Sequence, residues 1–552
     1  MHPLVSRILE NRNIEDVEAF LSPIYEARPD PFLMKGMEKA TERILKAVES
    51  EEKIAAWTDY DCDGIPAGAM LADFFEMIGH SVHSYIPERS EGYGLNKEGI
   101  LKLKDEGVSL IVTADVGITN IEEVAFAASH GVDVIVTDHH LPGGKVPDAV
   151  AVLNPHQSDC SYPFKELSGT GVAFKLIEGL VQKGSLSISN GAEKWLLDLV
   201  ALATVADMMP LVGENRTLVH YGLVVLKKGK RKGLRALLQR MRIPLGHVTE
   251  DDFSFSIAPK INAASRMKSP LLGLELLTTK DDTRADELAR DLIKLNDARK
   301  LEGARVSKEV KRRIDGISAN DVIVLGNPAW NPALLGIAAT NIVDTYQRTV
   351  CLWGRDGDVI KGSCRSDGSI NVVRLMNEAS HLFEDYGGHE LSGGFALKPN
   401  AVHELSETLQ KAYVHLDKNK NSDNQNVQSE FTLTLSEVNE PSYRALRTLA
   451  PFGIGNEKPL FEFNGVRVER VTWFGKHKDH VRLTISDDAG YKTDVIGFFV
   501  QRASYKHEIE LLSVNDVVSI HAALEQSFFA GRKELRLRLE HVDLITEHGE
   551  SN

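Results

Sequence analysis

The chain has 552 residues, with 64 Lys and Arg against 79 Asp and Glu, a formal charge of −15. With 42% hydrophobic and 26% charged residues it can bury ordinary cores, which excludes collagen, coiled-coil rods and general disorder. At about 150 residues per domain the length suits three to four domains, and the acidic balance disfavours indiscriminate polyanion binding while leaving room for a local basic groove.

The opening MHPLVSRILENRN carries charge and amide where the apolar core of a signal peptide would lie. The most apolar stretch, Leu196 to Val212, is broken by Asp198 and Asp207, so no membrane span is expected. Cys62, Cys160, Cys351 and Cys364 lack CxxC spacing. That argues against a disulfide framework or structural zinc and suits a reducing cytoplasm.

In chain order, residues 1–45 read as a helical segment punctuated by Pro23, Pro29 and Pro31. Across 46–220, short apolar runs alternate with amphipathic stretches, the pattern of βαβ units on a parallel sheet. Two near-repeats, VSLIVTAD and VDVIVTDH, flank a helical IEEVAFAASH, which fits strand, crossover and strand. Residues 221–280 look helical and irregular, with eight Lys or Arg and no acid between 227 and 242. Residues 281–315 predict one connecting helix with Leu288, Leu292 and Leu295 on its apolar stripe, about 50 Å long at about 1.5 Å per residue. A second α/β unit spans 316–415, and the polar, Asn-rich 416–428 reads as a linker. Alternating runs over 429–548 predict a small β-barrel.

The chemistry gathers at strand ends. IAAW leads into Asp59-Tyr60-Asp61-Cys62-Asp63-Gly64, SLIVTA into Asp115, and VDVIVT into Asp138-His139-His140; Asp207 closes LLDLVALATVAD. In open parallel sheets ligands bind beyond the carboxyl ends of the strands. One Asp after a strand is commonly a turn or cap, but four such motifs together point to a cluster. Carboxylates packed together raise one another's pKa unless a cation lies between them. With imidazoles present and no thiolate at useful spacing, Mn²⁺ or Mg²⁺ suits the set best. There are ligands enough for two ions, and a pair about 3.5–4 Å apart suits phosphoester hydrolysis. Cys62 is expected to pack, facing away from Asp61 and Asp63.

DYDCDG, TADVG, TDHH and TVADMMPL resemble the four motifs of the DHH phosphoesterase superfamily. IPERSEGYGLN, PKINAASRM, LLGIAA, KGSCRS, GGHELSGGF and PFGIGNEKPLF narrow the resemblance to the RecJ family of bacterial 5′→3′ exonucleases specific for single strands. The resemblance implies an α/β protein: a parallel-sheet DHH domain, a long helix, a DHHA1-type domain and a C-terminal OB-like barrel. It implies Asp59, Asp61, Asp63, Asp115, His139 and Asp207 as metal residues, with Asp115 bridging two ions. His140, Asp138 and His389 would act at the scissile phosphate. Arg89, Arg266, Ser363, Arg365 and Gly388 would hold the strand and its 5′ end. At Trp57 and Asn331 the chain departs from the family pattern, which often has His there.

A nuclease for single strands needs a cationic channel and stacking surfaces. The basic run 227–242 and, in the barrel, Trp473, Phe474, Lys476, Lys478 and Arg482 are candidates, with Phe528, Phe529, Arg532, Lys533, Arg536 and Arg538 as a second set. The implied partner is single-stranded DNA, with a single-strand-binding protein or a helicase as further partners. The alternatives are a DHH phosphatase on short oligonucleotides, which would not need the barrel, and a catalytically reduced DNA-binding scaffold, which would lose ligands that are present here.

Overall fold

The computed structural model describes residues 1–184, 186–314, 317, 322–416, 428–475, 478–529 and 532–545. The first sheet contains β1 (Lys53–Thr58), β2 (Val82–Tyr85), β3 (Val108–Ala114), β4 (Asp133–Thr137) and β5 (Ala151–Leu153), all parallel in the order β2-β1-β3-β4-β5. Apart from Lys53, β1 is buried throughout, because helices cover both faces and a parallel strand then needs continuous apolar side chains. One face packs on the apolar helices Gly64–Met77, Gly169–Lys183 and Leu197–Ala206. The other buries Trp57, Ile100, Ile111 and Val136. Trp57 stacks on Tyr85 at 4.1 Å and donates its indole N–H to the Gly94 carbonyl. It is core, away from the acidic strand ends.

The connecting helix runs Asp282–Ile314, 33 residues. Leu288 and Leu292 are buried in the first core, while Val306, Val310 and Ile314 are buried in that of the second unit. One rod therefore anchors both. The second sheet has β6 (Ile323–Gly326), β7 (Val350–Asp356), β8 (Val359–Arg365), β9 (Phe383–His389) and β10 (Ser392–Leu397), in the mixed order β6-β7-β8-β10-β9. Here the cysteine expectation needs correcting. Cys351 and Cys364 lie opposite each other on β7 and β8 and form a disulfide, which strand register decides and sequence spacing conceals. Cys62 is buried core, as expected.

The expected linker falls mostly on 417–427, outside the described residues. Beyond it come β11 (Phe431–Thr432), β12 (Phe461–Phe474), β13 (His480–Ser486), β14 (Lys492–Gly497), β15 (Val517–Phe529) and β16 (Arg532–Leu544). The order β12-β13-β14-β16-β15 returns to β12, so five strands close into a barrel. The N-terminal segment does not form a unit of its own. Leu4, Val5, Ile8 and Leu9 of the helix Pro3–Asn11 are buried in the barrel core, whereas Met37, Ala40 and Ile44 join the first sheet's core. Among the described residues, no helix is long and apolar enough to cross a membrane.

Candidate metal centre and its facing wall

Each acidic group is placed by a backbone feature. The DYDCDG turn folds tightly: a Cβ at Gly64 would sit 2.3 Å from the Asp59 carbonyl, so only glycine fits. Asp61 Oδ1 accepts the N–H groups of Asp63 (2.8 Å) and Gly64 (3.2 Å). Asp63 faces the start of the helix Gly169–Lys183, accepting from Gly169 N (2.6 Å) and Thr170 N (2.7 Å). Unpaired N–H groups and the helix dipole both favour a carboxylate there. Gly169 is required, since a Cβ would meet that of Asp115 at 2.5 Å. Asp115 itself has φ +65°, in the left-handed region. Asp207 caps the helix Leu197–Ala206.

These side chains converge. His139 Nε2 lies 3.2 Å from Asp115 Oδ1, 3.7 Å from Asp207 Oδ2 and 3.8 Å from Asp63 Oδ2. Three sets bring one ligand atom per residue within 4.8 Å of one another: Asp59, Asp61 and Asp115; Asp63, His139 and Asp207; and Asp115, His139 and His140. Asp59 Oδ1 and Asp115 Oδ1 are buried with no hydrogen-bond partner. Burial, then Asp61, raises the pKa of Asp59; burial, then Asp63 and Asp61, raises that of Asp115. Burial also raises Asp63, against the pull of His139. Asp207 is pushed up to about 8 by burial and then by Asp63 and Asp61. Burial lowers His139, keeping its imidazole neutral and able to ligate. Orphaned oxygens on mutually repelling carboxylates are the donor set a hard divalent cation fits.

Asp138 plays a different part. Its carboxylate accepts from the N–H of Ile118 (2.9 Å), His139 (2.8 Å) and His140 (3.1 Å), and its Oδ1 lies 2.8 Å from His140 Nδ1. Burial alone would raise its pKa, yet the His140 hydrogen bond and charge hold it below the ordinary value. His140 in turn is pushed up to about 9, burial being outweighed by Asp138. Asp138 therefore orients His140.

In the absence of divalent cations the raised carboxyls have a consequence for stability. Asp207 titrates at about 8 when folded and at about 3.9 when unfolded. Between those values the folded protein holds more protons than the unfolded, so stability falls as pH rises. Chelated protein is expected to melt lower at pH 8 than at pH 6, and Mn²⁺ to reverse the order. Equal melting temperatures in chelator at both pH values would contradict the cluster's electrostatics.

Beside the acidic loop, Arg89 lies 4.1 Å over the Tyr60 ring, and its Nε donates to Ser265 Oγ. Arg266 donates to the Ala333 carbonyl at 2.7 Å, at the start of the helix Pro332–Tyr346. One turn on, a Cβ at Gly336 would meet Arg365 at 2.6 Å and Ser363 at 3.2 Å. Arg365 donates to Ser363 Oγ at 2.8 Å. Arg266 from the first unit and the Ser363–Arg365 pair from the second thus meet at the same helical turn. The other expectations fare less evenly. His389 and Gly388 are exposed on the β9–β10 hairpin, and no described hydrogen bond or ion pair joins them to the acidic cluster. Trp473 packs partly against the barrel core. Lys476 lies outside the described residues.

The basic run needs correction. Arg231 is buried against Asp198 and Asp73, Lys232 and Arg235 pair with Asp282, and Arg240 pairs with Asp286. Half its charge is thus neutralised within the chain. In the barrel's second basic set, Lys533, Arg536 and Arg538 pair with Glu440, Glu525 and Glu540. Among the described barrel residues, Phe499 (55%) and Tyr491 (52%) are exposed aromatics, and the Phe499 N–H donates to His480 Nδ1. Sequence reading also missed Gly169 and Thr170, although Ser168 before an apolar helix was a cap signal, and Tyr93, whose hydroxyl lies 3.3 Å from the Asp115 carbonyl and from His140 Nδ1.

Comparison with known proteins accords with this geometry. Residues 53–204 match the DHH family, N-terminal domain; 319–414 match the DHHA1 domain; and 429–541 match the RecJ OB domain. Fold and site together define a DHH-type protein carrying a RecJ-type barrel. The chain is 31% identical to the single-stranded-DNA-specific exonuclease RecJ of Escherichia coli, over 98% of this chain and 96% of that one. It is 34% identical to the Bacillus subtilis protein of the same name, covering 90% of this chain but only 63% of that one. The crystal structure of Thermus thermophilus RecJ with Mn²⁺ aligns with a TM-score of 0.79 and 26% identity, covering 98% of this chain and 76% of that one. A manganese-bound structure of exonuclease RecJ gives 0.61 and 32%, covering 69% and 95%. The chain belongs to the RecJ family.

Proposed function

We propose that the protein is a metal-dependent exonuclease that hydrolyses single-stranded DNA from the 5′ end, releasing 5′-mononucleotides in DNA repair and recombination. The observation that carries this reading is the convergence of two ligand sets, Asp59/Asp61/Asp115 and Asp63/His139/Asp207, opposite a wall of arginines. RecJ structures hold Mn²⁺ or Mg²⁺, and the donor chemistry here suits either. Two divalent ions held by these residues would supply an activated water and neutralise charge developing on the phosphoryl oxygens. Asp138 fixes the His140 ring, so that its protonated imidazole can donate to the scissile phosphate. Tyr93 braces the same ring. Arg266, Ser363 and Arg365 form a fork and hydroxyl able to grip a terminal phosphate, and His389 and Gly388 on the neighbouring hairpin would add substrate contacts. The barrel's Trp473, Lys476 and Phe499 would lead the strand in, and a cytoplasmic site of action with a single-strand-binding protein or a helicase as partner follows from the same reading.

Incubation with 5′- and 3′-labelled single strands and duplex, with Mn²⁺, Mg²⁺ or chelator, tests polarity, strand preference and metal need together. Release of the 5′ label first, from single strands only and only with metal, is expected. Hydrolysis that persists in chelator would sink the metal mechanism, and release of the 3′ label first would reverse the polarity.

A further inference from the structure

Several buried cations among the described residues are satisfied within the chain: Arg28 meets Glu178, Lys175 meets Glu214 and Arg447 meets Glu250, while Arg216 donates to the carbonyls of Phe20, Ala450 and Pro451. A group where the helix Ala258–Met267 packs on the connecting helix is not. Arg299, on the connecting helix, is half-buried; one terminal N–H is tied to Asn296 Oδ1 at 3.0 Å, and its Nε is buried with no acceptor. Burial, then Arg89 and Arg299, lowers the pKa of Arg266 to about 10. Lys260 is lowered by burial, then by Lys300, with Arg299 adding to the effect; Asp297 opposes it, yet no described ion pair forms there. Cations that repel one another in a half-dry setting are costly unless an anion joins them. The group also adjoins the acidic cluster: Arg89 lies over the ring of Tyr60, between Asp59 and Asp61 in the chain, and bonds Ser265 next to Arg266, whose helix Ala258–Met267 packs along the connecting helix.

We propose that Arg299 belongs to the substrate grip: Arg89, Arg266 and Arg299 form one anion site that takes a backbone phosphate of the strand where it passes between the acidic cluster and the connecting helix. This rests on the nuclease reading above and adds to it a residue no family motif had marked. A planar guanidinium with free donors suits a phosphodiester, which offers two unesterified oxygens. The anion is a polynucleotide phosphate, because the group sits beside the acidic loop at which, on that reading, the strand is cut. A free phosphate or mononucleotide would share the chemistry and is separated by the test.

The test is fluorescence anisotropy of a 5′-phosphorylated single strand in chelator, titrated from 50 to 200 mM salt, with inorganic phosphate and a mononucleotide as competitors. Arg299→Gln is expected to weaken binding about tenfold and to flatten the slope of log affinity against log salt by about 0.7, the share of one phosphate on a single strand. In hydrolysis assays KM rises while kcat stays within about twofold, since the group does not touch the reacting atoms. Arg290→Gln removes one exposed charge from the same helix and is expected to change neither. Should Arg299→Gln fail to fold, Arg299→Lys keeps the charge without the fork, and is expected to hold the slope while weakening binding about threefold. Wild-type affinity and slope in Arg299→Gln, or wild-type affinity in Arg299→Lys, would overturn the assignment. So would competition by inorganic phosphate or mononucleotide as strong as that by the strand. If the unaltered protein neither binds nor cuts the strand, the nuclease reading itself falls, a result distinct from either.

Discussion

Asp115→Asn is expected to abolish hydrolysis while raising the melting temperature of the metal-free protein. Asn is the right replacement because Asp115 sits at φ +65°, where Asn is tolerated and Ala is strained, and because Gly169 leaves no room for a larger side chain. The variant removes one charge from a cluster of buried carboxylates, so in chelator the folded state loses repulsion that the unfolded chain never had. It also removes the one carboxylate common to two of the candidate ligand sets. A loss of rate of about 10³-fold or more, roughly 4 kcal/mol of barrier, is expected, with single-strand affinity nearly unchanged because the arginine wall is untouched. Calorimetry with and without Mn²⁺ supplies the second readout. The wild-type protein should gain about 2.7 kcal/mol at a hundred times the dissociation constant, and the variant much less. Retention of wild-type turnover would remove Asp115 from the centre, and a lower melting temperature in chelator would show that its charge is compensated.

What the sequence disclosed and what it concealed divide along a physical line. Asp61, Asp63, Asp115 and His139 were legible because a parallel sheet sends every strand's carboxyl end to one edge, so local pattern alone brings distant motifs together. The barrel was legible from alternation, although KTDVIG is too short and polar to show as β14. Partners contributed by remote elements were not legible. The basic run looked uncompensated because Asp282 and Asp286 lie more than forty positions downstream, on another helix. Thr170 reaches Asp63 across 107 positions. Arg299 reads on its own as one more charged residue on a solvated helix, and only its buried Nε sets it apart. The helix Pro3–Asn11 has an apolar face whose destination, the barrel more than 400 positions away, no periodicity could give.

That last contact changes how the barrel's role should be tested. Deleting the C-terminal 128 residues would strip Leu4, Ile8 and Leu9 of their core and leave Glu250 buried without Arg447. Loss of DNA affinity would then say little about the barrel. Arg216→Met is the sharper probe. Arg216, on the helix Gly213–Lys227, is 4% exposed and donates to the carbonyls of Phe20, Ala450 and Pro451. Leaving three buried acceptors unpaired, at about 1–3 kcal/mol each, is expected to destabilise the docked barrel by about 3 kcal/mol or more and to split one melting transition into two. The same junction reaches the metal centre. The N–H of Leu211, four residues beyond Asp207, donates to the Ile454 carbonyl at 2.7 Å, and Asn215 holds the Pro210 carbonyl at 3.1 Å. Loosening the barrel therefore frees the loop that carries Asp207, and the Mn²⁺ concentration giving half-maximal rate is expected to rise severalfold while the saturated rate is largely kept. Two melting transitions with unchanged Mn²⁺ dependence would mean that the Asp207 loop keeps its shape without the barrel, and that the barrel serves the strand alone.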